Sequence, residues 1–520
     1  MAALEASLGE ALLEDMRAKG VDAELTLSIL ADYNAGLYDG IRPVRAKGVP
    51  AIDGRSVIET GDARLSFSAP AAAARERLAA LGLRVPASAR EDGGSLSFPR
   101  AALEELGLAL LPKTAYGILN GGSATSYADR KKNLAFGDRA FEALRPAFDA
   151  LAPLCKDKPK GVAPAFVNPD GAPGPSFLLL KMRARLLAGI AYRERFGEPG
   201  RPVLPMFQMS SVANDAQLKA AYEGYAGDPL LAVPAARSGE APCDLATGVQ
   251  PMIAAYTHSS EGRPKRVFDR AYGRPGSVVA LPGGHGQCFR VLAPVLRALR
   301  ESGVRFAYLG NVDNLGYLPD PAEIALLALS GLPAGFDFAL RTPVDVKGGI
   351  LVEAAGDARE GDTREGVRRT IADIGPAISF DEVRRLEEGG ARILFNCATG
   401  LFDLDWLVPR IDEIGRTLPV RFTDQDKEAG RYSQAEQVTW EVASLLPGFL
   451  AFAVDKYDRF MAAKLLAETL LTSGVGSGDP RIPAELAVTS RLLEAGLERK
   501  LRGAYGLELR GGRWQAAERA

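Results

Sequence analysis

Tyr116-Gly117-Ile118-Leu119-Asn120-Gly121-Gly122-Ser123-Ala124-Thr125 begins as an apolar run and breaks into paired glycines followed by hydroxyls. An apolar strand that ends this way places bare backbone N–H groups at the carboxyl edge of a sheet, where α/β proteins bind nucleotides. The same letters also suit an ordinary tight turn. The neighbouring sequence decides between the two.

On the carboxyl side, helical segments alternate with short apolar strands. ADRKKNLAFGDRAFEALRPAFDALAPL and SFLLLKMRARLLAGIAYRERFG read as helix, and Val203 to Ser211 reads as strand. The helix CFRVLAPVLRALRESG leads to the strand Val304 to Gly310, and later strands are expected at Phe336–Arg341, Ala377–Phe380, Arg392–Asn396, Pro419–Phe422 and Phe449–Val454. Alternation of this kind predicts an α/β fold with a mixed, mostly parallel, doubly wound sheet. Gln434 to Glu441 is expected to open a helix, as is the stretch from about Arg459. Ser473 to Pro480 reads as a flexible break before one more helix and a short hairpin. On the amino side, residues 4 to 35 read as packing helices, and 41 to 100 as short strands with helices between them. The expected division is an N-terminal α+β lobe over 1–112, a catalytic domain over 113–445, and a C-terminal segment over 446–520.

Composition removes several function classes. Among 520 residues, 65 acidic and 63 basic side chains balance, so no basic excess points to nucleic acid, and no polybasic tract points to a membrane surface. The amino terminus has no basic start or apolar core of a signal peptide, and no uncharged run reaches spanning length, so a cytoplasmic protein is expected. Cys155, Cys243, Cys288 and Cys397 form no CxxC pair and read as reduced thiols. His258 and His285 are the only histidines, which excludes a multi-histidine metal centre. No Walker loop, GxGxxG, GxSxG or HExxH occurs, and no repeat of fixed period is found.

Three further stretches carry chemistry. In Ala280-Leu281-Pro282-Gly283-Gly284-His285-Gly286-Gln287, glycines around a histidine permit close backbone approach to a ligand, although a lone histidine also serves structure. Asn311-Val312-Asp313-Asn314-Leu315-Gly316 follows a buried strand directly. An aspartate there suits Mg²⁺, which takes few carboxylates and keeps phosphate oxygens and water, and it equally suits an Asp-Asn turn. Pro159-Lys160, before the apolar run Gly161 to Val167, brings an ammonium to a strand edge or leaves it solvated.

The order of these motifs resembles the UTP:glucose-1-phosphate uridylyltransferase (UDP-glucose pyrophosphorylase) family. Its series LNGGxGT, Pro-Lys, Met-x-Ser, PPGHGD, NxDNLG, DVKGG, FNTNNLW, Gln-x-Glu and a late lysine corresponds here to Leu119–Thr125, Pro159-Lys160, Met209–Ser211, Pro282–Gln287, Asn311–Gly316, Asp345–Gly349, Phe395–Leu401, Gln434–Glu436 and Lys456. The resemblance implies a glycosyltransferase-A-like core that joins UTP to a sugar 1-phosphate, most simply glucose 1-phosphate, with Mg²⁺ and release of pyrophosphate. It implies that Leu119, Asn120, Gly121, Gly122, Gln250, Gly284 and His285 face the nucleotide. His285, Gly286, Asn311, Lys347, Gly348, Asn396 and Glu436 would face the sugar phosphate, Asp313 the metal, and Lys160 and Lys456 the phosphates.

The chain departs from the family at Ser123-Ala124, at Gln287 where an acid is usual, and at Cys397-Ala398-Thr399. Pro-Lys comes some thirty residues late, so 126 to 155 reads as an insertion; otherwise Lys131 or Lys132 takes the lysine's role. No hexapeptide repeat follows Val475, so an oligomerising β-helix is not expected and the chain is expected to be a monomer. An N-acetylglucosamine 1-phosphate or broad-specificity relative, or a non-catalytic nucleotide-binding one, is the alternative.

Overall fold

A computed structural model describes residues 8–40, 44–122, 127–342, 345, 348–356 and 366–518. Ser123, Ala124, Thr125, Val346 and Lys347 lie outside the described residues, so the third glycine's replacement and the lysine of the Asp-Val-Lys-Gly-Gly stretch have no structural account.

The glycine stretch belongs to the middle of a large sheet. Its strands, in chain order, are β1 (Val57–Glu59), β2 (Thr114–Leu119), β3 (Met206–Ser211), β4 (Leu245–Gln250), β5 (Phe306–Asn311), β6 (Ala334–Leu340), β7 (Gly349–Ala355), β8 (Val367–Asp373), β9 (Leu394–Asp403) and β12 (Leu450–Val454); the short strand Ala46–Gly48 pairs with β7 at the margin, and β10 (Val420–Lys427) and β11 (Gly430–Gln437) form a separate hairpin. The spatial order is β1-β12-β6-β9-β5-β2-β3-β4. Along this order every neighbouring pair is parallel except those made by β9, which runs antiparallel to both β5 and β6, and off it β7 pairs antiparallel with β8 and β9. This is the mixed, mostly parallel α/β sheet that the alternation of elements predicts.

Both faces of the sheet are covered, as parallel strands require. Alternate residues of β2 enter different cores: Tyr116 and Ile118 pack on one side, Ala115 and Leu119 on the other. The first core receives helix α1 (Phe177–Phe196) and helix α2 (Pro321–Ser330). Gly107, in the helix Arg100–Ala109, lies so close to α2 that a Cβ would fall 1.7 Å from the Pro321 carbonyl oxygen. The N-terminal part is therefore fastened to the core in three places. The others are β1, which extends the sheet beside β12, and the helices Glu10–Ala18 and Ala23–Asn34, which pack with Ile253, Tyr256, Val420 and Ala435. Strand β12, within 446–520, sits between β1 and β6 inside the central sheet.

Several local expectations are corrected. Gln434 to Glu441 is not a helix start: Gln434–Gln437 completes β11, and only Thr439–Ser444 coils as a 3₁₀ turn. Cross-strand pairing with β10 decides it, and buried Tyr432, Ser433, Ala435 and Gln437 fit a strand. Ala377 to Phe380 is not a strand either. Ile374 and Ile378 make one bridge across a turn, and Ser379 caps the helix Phe380–Glu388 by accepting from the Glu382 N–H at 3.2 Å. Gly161 to Val167 forms a 3₁₀ turn and irregular chain. The late helix expected from about Arg459 begins earlier, as the single turn α3 (Lys456–Arg459), and a second helix follows at Leu466–Thr472. Helix α4 (Ala484–Gly503) and the hairpin Leu507–Ala516 close the fold.

Candidate active site

Strands β5, β2, β3 and β4 end in register, with Asn311 opposite Leu119, Leu119 opposite Met209, and Ser211 opposite Gln250. Their carboxyl ends therefore form one rim. A cavity of about 430 Å³ opens on it, lined by Leu119, Gly121, Gly122, Lys160, Gln250, Gly284, His285, Asn311 and Asp313 among others. A second cavity of about 360 Å³ adjoins it and shares His285, Asn311 and Asp313. Its remaining wall includes Gly348, Asn396, Ala398, Arg421, Trp440, Glu441 and Lys464.

The glycine turn is held from behind. Ser211 Oγ donates to the Gly121 carbonyl at 3.0 Å, the Lys160 N–H donates to the Gly122 carbonyl at 3.2 Å, and Asn214 Nδ2 donates to the Asn120 carbonyl at 3.0 Å. A Cβ on Gly122 would meet no atom of the described residues within 4 Å, so the turn presents open backbone to the cavity. Asn120 does not face it. Its side chain is buried behind the turn, donates to Gln208 Oε1 at 3.2 Å and packs against Gly161, because the strand's alternation points it inward.

Lys160 reaches the cavity from the 3₁₀ turn Lys160–Val162 and forms an ion pair with Asp313 Oδ2. Lys131 and Lys132 lie on the short helix Arg130–Asn133, exposed to solvent. Asp313 keeps its other oxygen, Oδ1, buried and without a partner among the described residues. Lys456 is less direct. It does not line either cavity; it donates to Thr342 Oγ1 at 2.8 Å and forms an ion pair with Asp345.

The Gly-His-Gly loop is fixed by β11 and the turn after it. Gly284 has φ +81°, and a Cβ there would lie 2.3 Å from the Gln437 carbonyl oxygen, so this position accepts glycine alone. Gly286 faces Gln437 and Leu418 instead of the cavities, and its role is close packing. His285 Nδ1 accepts the Thr439 N–H at 3.2 Å, while Thr439 Oγ1 donates to the His285 carbonyl at 2.8 Å. That network assigns the ring proton to Nε2, which makes the neutral ring a donor. Burial, assisted by the charge of Lys464, pushes the imidazole down to about 4. The folded chain therefore binds fewer protons at His285 than the unfolded chain between about pH 4 and the ordinary value of 6.5, and loses stability as pH falls through that window. Substituting His285→Gln should flatten this part of the acid limb in melting temperature measured from pH 7 to 4.5; an unchanged slope would show that His285 does not titrate there.

Gln250 lines the first cavity, but its amide is engaged. Nε2 donates to the Gly284 carbonyl and to Gln287 Oε1, each at 2.8 Å, so Gln287 takes part in holding the loop. In the second cavity, strand β9 carries a bulge between its pairings of Phe338 with Asn396 and Phe336 with Gly400. Asn396 Oδ1 accepts the Ala398 N–H at 3.0 Å and fixes Ala398 at φ +51°. The Cys397-Ala398-Thr399 departure is thus the bulge that shapes this wall. Glu436 is absent from it: its carboxylate accepts from Gln434 Nε2 at 2.8 Å, because β11 runs as a strand and turns this side chain elsewhere. Glu441, Arg421, Trp440, Asp373 and Lys464 line the cavity in addition to the expected residues. Trp440 and Glu441 share the turn Thr439–Ser444, the other three come from separate elements, and the hairpin pairing of β10 with β11 brings Arg421 near Glu441.

The two motifs that meet at the shared wall, Pro282–Gln287 and Asn311–Gly316, fall in one stretch of sequence. Residues 270–366 match the family model described as UTP--glucose-1-phosphate uridylyltransferase. The likeness to that family drawn from the motifs is borne out over this stretch. No curated protein matches the sequence. Among solved structures, a variant of the Leishmania major UDP-glucose pyrophosphorylase in complex with UDP-glucose is 17% identical, with a TM-score of 0.54, covering 89% of this chain and 79% of that one. A Trypanosoma brucei structure named UDP-glucose phosphorylase is 18% identical, with a TM-score of 0.53, covering 89% and 77%. An Entamoeba histolytica structure, provisionally named a UDP-N-acetylglucosamine pyrophosphorylase, is 15% identical, with a TM-score of 0.50, covering 70% and 79%. These likenesses show the shared fold. No helix among the described residues is long and apolar enough to cross a membrane.

Proposed function

We propose that the chain is a uridylyltransferase that joins UTP to a sugar 1-phosphate, giving a UDP-sugar and pyrophosphate. The observation that supports this most is the pair of adjoining cavities with Asp313, Asn311 and His285 in their common wall. In this reading the first cavity holds uridine over Gly121 and Gly122, and the second holds the sugar beside Asn396 and Gly348. The phosphates meet at the shared wall.

The residues fit Mg²⁺. Among the described residues no group of three or more His, Cys, Asp or Glu side chains is placed to hold a metal. The buried, unpartnered Oδ1 of Asp313 instead offers one carboxylate oxygen, which suits an ion that takes its other ligands from phosphate and water. Asp313 would hold the ion, and the ion, when bound, supplies charge neutralisation at the phosphates.

The chain's own groups do the rest. A phosphate oxygen of the sugar 1-phosphate attacks the α-phosphorus of UTP, the new P–O bond forms, and the α–β bridging bond breaks with its electron pair leaving on pyrophosphate. No protein nucleophile or proton transfer is needed, so catalysis is positioning and charge stabilisation. Lys160, released from Asp313, turns its ammonium to the phosphates, and His285 Nε2–H donates while remaining neutral. Lys456 is held by Asp345, and in this reading it approaches the phosphates only after leaving that partner.

Glucose 1-phosphate is the preferred acceptor in this reading; the name given to the Entamoeba histolytica relative supports N-acetylglucosamine 1-phosphate as the second. Pyrophosphate release from UTP and Mg²⁺ with a panel of sugar 1-phosphates tests both. Release fastest with glucose 1-phosphate supports the first, and a strong preference for the N-acetylated sugar the second. UTP binding without release with any sugar would make the chain a binding protein.

A further inference from the structure

Lys181 is a buried cation that the site does not use. It lies in α1, fully buried, on the side of the sheet that packs Tyr116. Its Nζ donates to the Asn314 carbonyl at 2.9 Å, the Tyr317 carbonyl at 3.0 Å and the Tyr116 hydroxyl at 3.3 Å. It also sits over the Tyr317 and Tyr116 rings, 4.8 and 5.9 Å from their centroids. All these partners are neutral. Burial pushes the ammonium down to about 7, the charge of Asp313 opposes that shift and Arg459 adds to it.

An ammonium is costly in such a place, and a side chain of similar volume without charge would pack there at no such cost. What the amine does is join two segments. Tyr116 lies in β2, whose end carries the glycine turn, while Asn314 and Tyr317 frame the second half of the loop that begins at Asn311 and carries Asp313. The other side of that loop is also clamped: Asn314 Oδ1 accepts the Met461 N–H and the Gly316 N–H, each at 3.0 Å, and Asn314 Nδ2 donates to the Arg459 carbonyl at 3.0 Å. Without Lys181, the Asn314 carbonyl loses its bond from α1, and the direct tie of β2 to this loop is left to the Tyr116 hydroxyl, which donates to the Tyr317 carbonyl at 2.8 Å.

We propose that Lys181 is a positioning residue that fixes the orientation of Asp313 for a divalent cation by tying the Asp313 loop to the strand of the glycine turn. The inference rests on the proposed uridylyltransferase reading. Groups that orient a ligand in this way typically change metal affinity by about tenfold to a hundredfold when removed.

Mn²⁺ bound in the presence of UTP, measured by electron paramagnetic resonance without any sugar phosphate, tests it independently of turnover. Lys181→Met should weaken Mn²⁺ binding about tenfold or more, while UTP affinity without metal stays within about twofold, because the glycine turn keeps its own bonds. The melting temperature should move by only a few degrees, since the lost hydrogen bonds and the removed burial cost offset each other. Lys181→Gln, which keeps a donor, should fall between wild type and Lys181→Met. Unchanged Mn²⁺ affinity in folded Lys181→Met would overturn the proposal. So would equal losses of metal and metal-free UTP binding, or failure of both variants to fold, which would make the lysine purely structural. Absence of Mn²⁺ binding by the wild-type chain would overturn the uridylyltransferase reading first and this inference with it.

Discussion

Asp313→Asn should lower the rate of pyrophosphate release by on the order of a thousandfold while leaving UTP binding nearly intact. The substitution keeps the volume and one acceptor oxygen of a carboxylate that is 10% exposed just past the end of β5. What it removes is the charge that now pairs with Lys160 and the oxygen, Oδ1, that no group of the described residues satisfies. Lys160, losing its partner, becomes freer to meet a phosphate, so nucleotide affinity should hold or rise slightly. Calorimetry with UTP and a pyrophosphate-release assay on the same preparation separate the two effects. A rate within about fivefold of wild type would remove Asp313 from the chemistry.

The second large effect concerns stability. Arg459, at the end of α3, donates through Nη2 to Glu323 and Asp337, each at 2.9 Å, and through Nη1 to the Leu318 carbonyl at 2.6 Å. All three ionisable side chains are buried, Glu323 completely so. Burial pushes both carboxyl groups above their usual range, and the guanidinium works against it. Arg459→Met leaves two buried carboxyl groups without their counter-charge, and should cost about 3–5 kcal/mol at neutral pH. In the variant both carboxyl groups have raised folded-state values, so its native state binds more protons than its unfolded state above the ordinary carboxyl range. Its stability therefore rises as pH falls toward about 4, and the deficit against wild type narrows. Urea denaturation at pH 7.5 and 5 measures this; a loss below about 1 kcal/mol at pH 7.5 would show that the triad is not a stabilising unit.

The parts of the fold that could be read from the sequence are those set by local pattern. The apolar run into Asn120-Gly121-Gly122 and the run Val304 to Gly310 into Asn311-Val312-Asp313-Asn314 are short buried strands stopped by turn residues, and both stand as β2 and β5 side by side. Gly-His-Gly reads in sequence as glycines open to a ligand, whereas Gly284 and Gly286 are small because Gln437 of the chain itself packs against them. Partner choice could not be read locally. Gln434 to Glu441 satisfies a helical pattern as well as an alternating one, and only the presence of β10 as a neighbour makes it strand, which turns Glu436 away and brings Glu441 in. The same limit hid the ion pairs Lys160–Asp313 and Lys456–Asp345, whose members are 153 and 111 residues apart. It also hid Lys181, which lies in a stretch that reads simply as helix and packs in fact against two tyrosines and the Asp313 loop. Asn120 illustrates the converse error, since membership of the motif did not fix which way its side chain points.

Both lysines assigned to phosphate are held by aspartates in the unliganded chain. Such pairing compensates both ammonium groups, and it ties them to the loops that follow β5 and β6, two interior strands of the sheet. Lys464, without a motif to mark it, lines the second cavity and adds a positive charge that His285 senses.

A crystal structure of the chain with UDP-glucose tests the central claim most directly. The account predicts the uracil against Gly121 and Gly122, the hexose in the cavity beside Asn396 and Trp440, and the diphosphate at the shared wall within hydrogen-bond distance of Lys160 or His285 Nε2. A nucleotide bound away from the glycine turn, or a hexose outside the cavity walled by the β9 bulge, would contradict it.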